Sequence, residues 1–323
     1  MSQTDPVKAR QGWQLNWLKS LWRSRAQLPR VVARRVHKSL SKLGHVPADT
    51  FECDFYGLRY HGRFDNNIDS AIYFYGAFEK PLLGFMREAL RAIAGNRGTF
   101  VDIGANVGQH SLGLSGVAAQ VIAFEPWQPV RERLVYHIGL NKLGNIQVVD
   151  VGLSDHNGSE VFFAPSGVNA GIGSFDPDSQ SKGNQAAGEL KLVRGDDYFA
   201  AQAPEQIHLI KMDVEGFEKP ALEGLKNTLL RYRPVLVCEL SYGKRLSFRS
   251  IEELKACLPE NYELLCFNKR RADGSKRQRA NARARLTGDY DLVAYAGPLE
   301  SGQDDVIACP REYLQTIPMS HRS

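Results

Sequence analysis

The sequence predicts an α/β domain, a doubly wound and mostly parallel sheet with helices on both faces. Two observations carry that expectation. From about residue 99, short β-branched runs alternate with stretches of helical period, the order that parallel strands and crossover helices require. Within that pattern, Val101-Asp102-Ile103-Gly104-Ala105-Asn106-Val107-Gly108 takes an apolar strand into a Gly-rich turn and then a helix, the place where such sheets bind ligands. The 323 residues are 43% hydrophobic and 24% charged, which excludes a mainly disordered, collagen-like or disulfide-stapled chain.

Residues 1–45 read as a basic amphipathic arm. The first 43 residues carry ten Lys or Arg against Asp5 alone, interleaved with Trp13, Trp17, Leu18, Leu21 and Trp22, then Val32, Val36, Leu40 and Leu43, at a helical spacing broken by Pro29. Two readings stand open: residues 1–43 lie on an anionic membrane surface, or the tryptophans dock on the body while the charges face water. Residues 46–98 lead into the core through a hairpin at 50–64 and a helix at 76–93, with Gly95 and Gly98 before the first strand.

The core, residues 99–300, places strands at 99–103, 120–124, 146–149, 207–212, 234–239, 262–267 and 291–296, with helices at 108–114, 130–141 and 218–230. Between 164 and 189, Gly, Ser, Asn, Asp and Gln dominate, so a long loop is expected there. Residues 269–285 form a basic insertion with eight Lys or Arg against Asp273. It begins where the sixth strand ends, so its cations overhang the substrate entrance or form a solvated loop. Residues 301–323 read as a C-terminal tail. No apolar stretch approaches the roughly 18 residues of a membrane span, and the N-terminus lacks a signal-peptide pattern; the expectation is a cytoplasmic protein, with the arm as its link to the inner face of a membrane. Cys53, Cys238, Cys257, Cys266 and Cys309 form no C-x-x-C pair and are read as reduced thiols.

Acidic residues at successive strand ends sharpen the Gly-rich turn into a ligand site. Asp102 stands before the first glycine, placed to receive an ammonium. Glu125 ends the second strand about 20 residues on, placed to accept both hydroxyls of a ribose. Asp155, in Gly152-Leu153-Ser154-Asp155, follows the third strand, within reach of an adenine amino group. S-adenosylmethionine has all three parts. A nicotinamide cofactor fits less well, because the turn lacks the G-x-G-x-x-G spacing.

The blocks FVDIGANVGQHSL, IAFEP, GLSDHNG, IKMDVEGFE with the trailing ALEGL, and RPVLVCEL resemble the FkbM-type family of S-adenosylmethionine-dependent methyltransferases, in wording and in order, over roughly residues 70–240. The resemblance implies a Rossmann-like methyltransferase sheet of seven strands, the last antiparallel. It implies a cofactor site lined by Asp102, Gly104, Asn106, Gly108, Glu125, Ser154 and Asp155, and O-methylation of a sugar, glycolipid or secondary metabolite. It also marks Glu79, in Tyr75-Gly76-Ala77-Phe78-Glu79, as a residue that closes the site or, equally, starts a helix. Within Lys211-Met212-Asp213-Val214-Glu215-Gly216, either Asp213 or Glu215 takes the proton of an acceptor hydroxyl; the alternative is that Glu215 caps a helix and Asp213 anchors the cofactor. No third oxygen ligand stands at a recognisable spacing from these two, so no metal is expected. His110, near the turn, is a lesser candidate base.

Two other functions compete. The basic segments suggest RNA methylation, but the fourth-strand block reads DVEG rather than Asn/Asp-Pro-Pro-aromatic, and no Pro-Cys nucleophile is present. A non-catalytic, membrane-associated binding module is the third reading, against which stands the presence of both Asp213 and Glu215. The partner expected first is a small-molecule or glycan acceptor.

Overall fold

The structure, a computed structural model, describes residues 6–165, 173–175, 177–243, 247–271, 273–300 and 302–323, with residues 6–12, 181 and 182 described by backbone alone. The expected arm, long loop and basic insertion therefore each lie partly outside the described residues, at 1–5, at 166–172 and 176, and at 272. The chain opens with α1 (Pro6–Arg23), α2 (Arg30–Lys42), the hairpin β1 (Thr50–Phe55) and β2 (Leu58–Arg63), then α3 (Asn67–Tyr75) and α4 (Lys80–Ala94). Next come β3 (Thr99–Ile103), α5 (Gln109–Ser115), β4 (Gln120–Phe124), α6 (Gln128–Asn141), β5 (Ile146–Val149), β6 (Gly152–Ser154), β7 (Gly158–Ala164), β8 (Gln185–Arg194) and α7 (Gly195–Gln202). The second half holds β9 (Leu209–Met212), α8 (Glu218–Glu223), α9 (Lys226–Tyr232), β10 (Val235–Tyr242), α10 (Ile251–Lys255), β11 (Tyr262–Phe267), α11 (Gln278–Thr287), β12 (Tyr290–Ala294), β13 (Gly302–Pro310) and β14 (Ser320–His321).

The central sheet has nine strands in the order β14-β12-β11-β13-β10-β9-β3-β4-β5. β5, β4, β3, β9 and β10 are parallel. Alternate residues of these strands feed opposite cores. Phe100, Val121 and Val235 pack under α4 and α5 with Leu83, Phe85, Met86 and Leu112, while Val101, Ile122 and Leu236 pack against Phe199, Leu222 and Leu229. The doubly wound class therefore stands, on a longer sheet than the expected seven strands.

Two interior strands run against the parallel set, β12 and β13, the latter inserted between β10 and β11. The sequence reading assigned this segment to a tail, because Gly302-Gln303-Asp304-Asp305 masks the short apolar run behind it. Strand 291–296, read as the closing strand, is instead the outer neighbour of β11. Because β11 is antiparallel to β13 and β13 to β10, β11 runs with the parallel strands. Its end at Phe267 therefore shares an edge of the sheet with Ile103 and Met212.

Local differences have local causes. The helix expected at 218–230 is two helices, α8 and α9, because Gly224 breaks it where the backbone of β6 passes: a Cβ there would lie 1.8 Å from the Ser154 carbonyl oxygen. The helix expected at 76–93 starts later, after α3 ends on Gly76 with φ +88°. Part of the expected 164–189 loop is strand, since β8 begins at Gln185 and pairs with β7.

The arm docks on the body. Leu18, Trp22, Ala33, Val36 and Leu40 form a small core with Phe64 and Phe74, and the Trp22 indole donates to Asp49 at 2.7 Å. That stripe is spent on packing, although Trp13 and Trp17 remain 70% and 52% exposed. Among the described residues no helix is long and apolar enough to cross a membrane. All five cysteines are free thiols.

Candidate active site

The turn after β3 is shaped by what it must approach. Gly104 has φ +80°, and a Cβ on it would sit 1.9 Å from the Asp213 carbonyl oxygen, so the turn closes against the β9 tip only with glycine here. Gly104 and Ala105 donate their N–H groups to the Phe124 carbonyl at 3.0 and 2.9 Å, and Gly108 abuts Leu134 of α6. Asn106 takes the left-handed region at φ +53°; its own N–H donates to Glu125 Oε2 at 2.7 Å, and its side chain accepts from Val107.

Glu125 is buried at the β4 tip. Its Oε1 accepts the Trp127 N–H at 2.9 Å, so each oxygen holds one backbone bond and keeps a second lone pair for another donor. Burial pushes its pKa up to about 7, against the pull of the Trp127 and Asn106 amides and of Arg131. Asp102, fully buried one strand over, takes the Ser111 hydroxyl on Oδ2 at 2.6 Å, while its Oδ1 accepts no hydrogen bond. Burial raises its pKa, opposed by the Lys211 ammonium and Ser111. Two further buried polar atoms at the start of α5 have no partner, Gln109 Nε2 and His110 Nε2. Burial and the Lys211 charge hold His110 well below its ordinary pKa, so it is neutral, 3.9 Å from Glu79 Oε2.

Beside this turn, five carboxylates gather at the strand ends. Oxygens of Asp213, Glu215 and Glu239 lie within 4.8 Å of one another, and so do oxygens of Glu79, Glu239 and Asp305. Two lysines balance part of the charge: Lys211 donates to Asp213 at 3.0 Å, and Lys269 donates to Asp305. Burial disfavours the charge on each lysine, yet the surrounding carboxylates outweigh it and raise both pKa values. Burial, with Asp305 and Asp213, lifts Glu79 to about 8, and burial, with Asp213 and Glu79, puts Glu239 well above its ordinary range. Glu79 and Glu215 stand in the left-handed region at φ +48° and +53°, a backbone strain that clusters at functional sites.

The geometry thus brings together Asp102, Gly104, Asn106, Gly108, Glu125, Glu79, Asp213 and Glu215. Asp155 follows β6 and is already engaged locally. Its side chain is 47% exposed and is held by His156 at 2.8 Å and by the buried Ser154 hydroxyl at 3.0 Å; burial pushes its carboxyl up, but these partners hold it below its usual value. Trp127, Phe162, Phe175 and Phe217 form an aromatic chain that reaches β6 where Phe175 approaches Gly152. Sequence reasoning missed Glu239 and Asp305. Each was legible only as a carboxylate in a run of otherwise buried strand, in VLVCEL and QDDVIAC. Glu239 is also a third carboxylate beside Asp213 and Glu215 that spacing along the chain did not supply.

Next to the carboxylates a cavity of about 770 Å³ opens between the ends of β10, β11 and β13 and the helix α11. Glu79, Glu239 and Asp305 line it, while Asp102, Glu125 and Asp155 do not. The crevice therefore has two compartments, a tight one at the Gly-rich turn and an open one beyond Glu239, which is common to both acid triads.

A methyltransferase FkbM domain model matches residues 102–263, half of the chain, and the protein belongs to that family. Among curated proteins it is 27% identical over 136 residues to the hexuronic acid methyltransferase AglP of Haloferax volcanii, covering 42% of this chain and 53% of that one. It is 28% identical over 174 residues to the AMB antimetabolite synthetase AmbE of Pseudomonas aeruginosa, covering 43% of this chain and 8% of that one. The chain thus spans about half the length of the first relative and a small part of the second. Among solved structures, a methyltransferase FkbM from Methylobacillus flagellatus KT aligns with a TM-score of 0.38 at 17% identity, over 66% of this chain and 43% of that one.

Proposed function

We propose that this protein transfers a methyl group from S-adenosylmethionine to a hydroxyl of a sugar or sugar-bearing acceptor. The observation that carries the reading is the convergence of five carboxylates at the strand ends beside the Gly-rich turn. The unpaired atoms of the turn suit the cofactor: Asp102 Oδ1 is an acceptor for an ammonium, Gln109 Nε2 is a donor for a carboxylate, and Glu125 keeps a lone pair on each oxygen for ribose hydroxyls. Gly104, Asn106 and Gly108 let the backbone come close to it. Family membership and the hexuronic acid methyltransferase relative support the activity and the sugar acceptor.

S-adenosylmethionine, when bound, supplies an electrophilic methyl on a sulfonium that departs as a neutral thioether. The acceptor oxygen then forms the O–CH₃ bond as the S–CH₃ bond breaks, and its proton passes to a carboxylate. Asp213, Glu215 and Glu239 share that place, and Glu239 alone of the three lines the cavity where an acceptor would sit, so we assign it the proton. Asp213, fixed by Lys211, and Glu215 would hold the positively charged end of the cofactor, and alignment would supply much of the rate. Calorimetric titration with S-adenosylmethionine tests the cofactor half. A wild-type protein that does not bind it, or a Glu125→Ala variant that binds equally well, overturns the assignment.

A further inference from the structure

The open compartment has a polarity of its own. On its floor lie Glu79, Glu239, Asp304 and Asp305. Its opposite wall comes from the described residues of the basic insertion, which are tied to the body. Arg270 pairs with both Asp304 oxygens at 2.9 Å, and Lys269 with Asp305; Asn281 donates to the Lys269 carbonyl, and Lys80 Nζ donates to the Leu286 carbonyl at 2.8 Å. These contacts pin α11 over the strand ends. The helix buries no side chain and contains no acid, so its cations neither build a core nor pair within it.

Two of the wall's cations face the cavity with no acidic partner among the described residues, Lys276 ahead of α11 and Arg285 in its last turn. Arg283 reaches Asp289 only at 3.6 Å. Between them Ala280 and Ala284, one turn apart on the cavity side, keep the wall shallow. Like charges held on one concave wall repel one another, and an anionic ligand relieves that repulsion.

Resting on the methyl-transfer reading above, we propose that the acceptor seated in this cavity carries an anionic oxygen group, held by Lys276 and Arg285 while a hydroxyl of the same molecule faces Glu239. A sugar bearing a carboxylate or a phosphate has this chemistry. A guanidinium suits either group, since both offer two oxygens to its fork. A nucleic acid backbone suits the site less, because the acidic floor repels a run of phosphates.

Binding of D-glucuronate, glucose 6-phosphate and glucose is measured by calorimetry on the full chain, alone and saturated with S-adenosylhomocysteine. The expected result is at least about tenfold tighter binding of one anionic sugar than of glucose. The preference should vanish in Lys276→Ala/Arg285→Ala and persist in Arg279→Ala, a cation outside the cavity wall. The two anionic probes separate a carboxylate from a phosphate requirement. Equal binding of glucose, or an unchanged preference in the double variant, overturns the proposal. So does salt-sensitive binding of RNA that removes the preference by competition. Failure of S-adenosylhomocysteine to bind would instead count against the methyl-transfer reading, while the sugar comparison on the free protein is still read.

Discussion

The two compartments of the crevice differ in how they are built. At the β3 and β4 tips the groups are packed to contact: Asp102 is sealed in, Glu125 is tied to two backbone amides, and a single added carbon at Gly104 collides with the neighbouring strand. At the β10, β11 and β13 tips the same sheet edge opens into a cavity walled by a helix that buries nothing. A packed turn fixes its geometry, whereas loops and appendages on a scaffold are where binding surfaces vary. Glu239 stands at the border, common to both acid triads.

The sharpest way to break this division is at that border. Glu239→Gln should lower kcat by about a hundredfold or more with S-adenosylmethionine affinity within about threefold, because it removes a proton acceptor and leaves the turn intact. Turnover assays with labelled methyl donor, paired with calorimetry, check both halves; an equal loss of cofactor binding would move Glu239 into the tight compartment.

On the tight side, Glu125→Ala should weaken S-adenosylmethionine by about thirtyfold, as the loss of two hydrogen bonds of about 1 kcal/mol each implies. Gly104→Ala should lower the melting temperature of the free protein, with a cost of about 2 kcal/mol or more from the positive φ and the collision with Asp213. Denaturant melts that superimpose on wild type would show that the β9 tip yields.

Acidity offers a gentler probe. Glu79 and Glu125, with ordinary values of 4.5, are lifted to about 8 and about 7. The folded protein thus holds these protons more tightly than the unfolded chain, so their contribution favours folding at low pH and is lost as pH rises from about 4.5 through about 8. A cation beside the ionised carboxylates offsets that loss. The melting-temperature gain from S-adenosylmethionine should therefore be larger at about pH 8 than at about pH 6, and a flat gain would detach the ligand from these acids. The smallest effect is expected at Asp155→Ala, whose half-exposed carboxylate is engaged by its own neighbours; cofactor affinity should stay within about twofold by the same titration.

Much of the tight compartment was legible along the chain. A strand, a Gly-rich turn and a helix are local, and Asp102 and Glu125 each end a recognisable apolar run, so order in sequence predicts order at the sheet edge. Asp155 shows the limit of that logic. Its position after a strand is read from order along the chain, but the engagement of its carboxylate by His156 and Ser154 is not. The long polar segment before β8 misled for a similar reason, since the pairing of Gln185–Arg194 with β7 depends on a partner strand and not on its own composition.

The sequence by itself determined the parallel core, the glycines that permit its close turn and the acids at its first strand ends, because these follow from periodicity and conformational freedom within a few residues. Only the tertiary structure decided that β13 slides between β10 and β11, that Glu239 and Asp305 meet Glu79 from more than a hundred residues away, and that Lys276, Arg283 and Arg285 line one cavity. Those outcomes depend on strand order and long-range pairing, which no local pattern encodes.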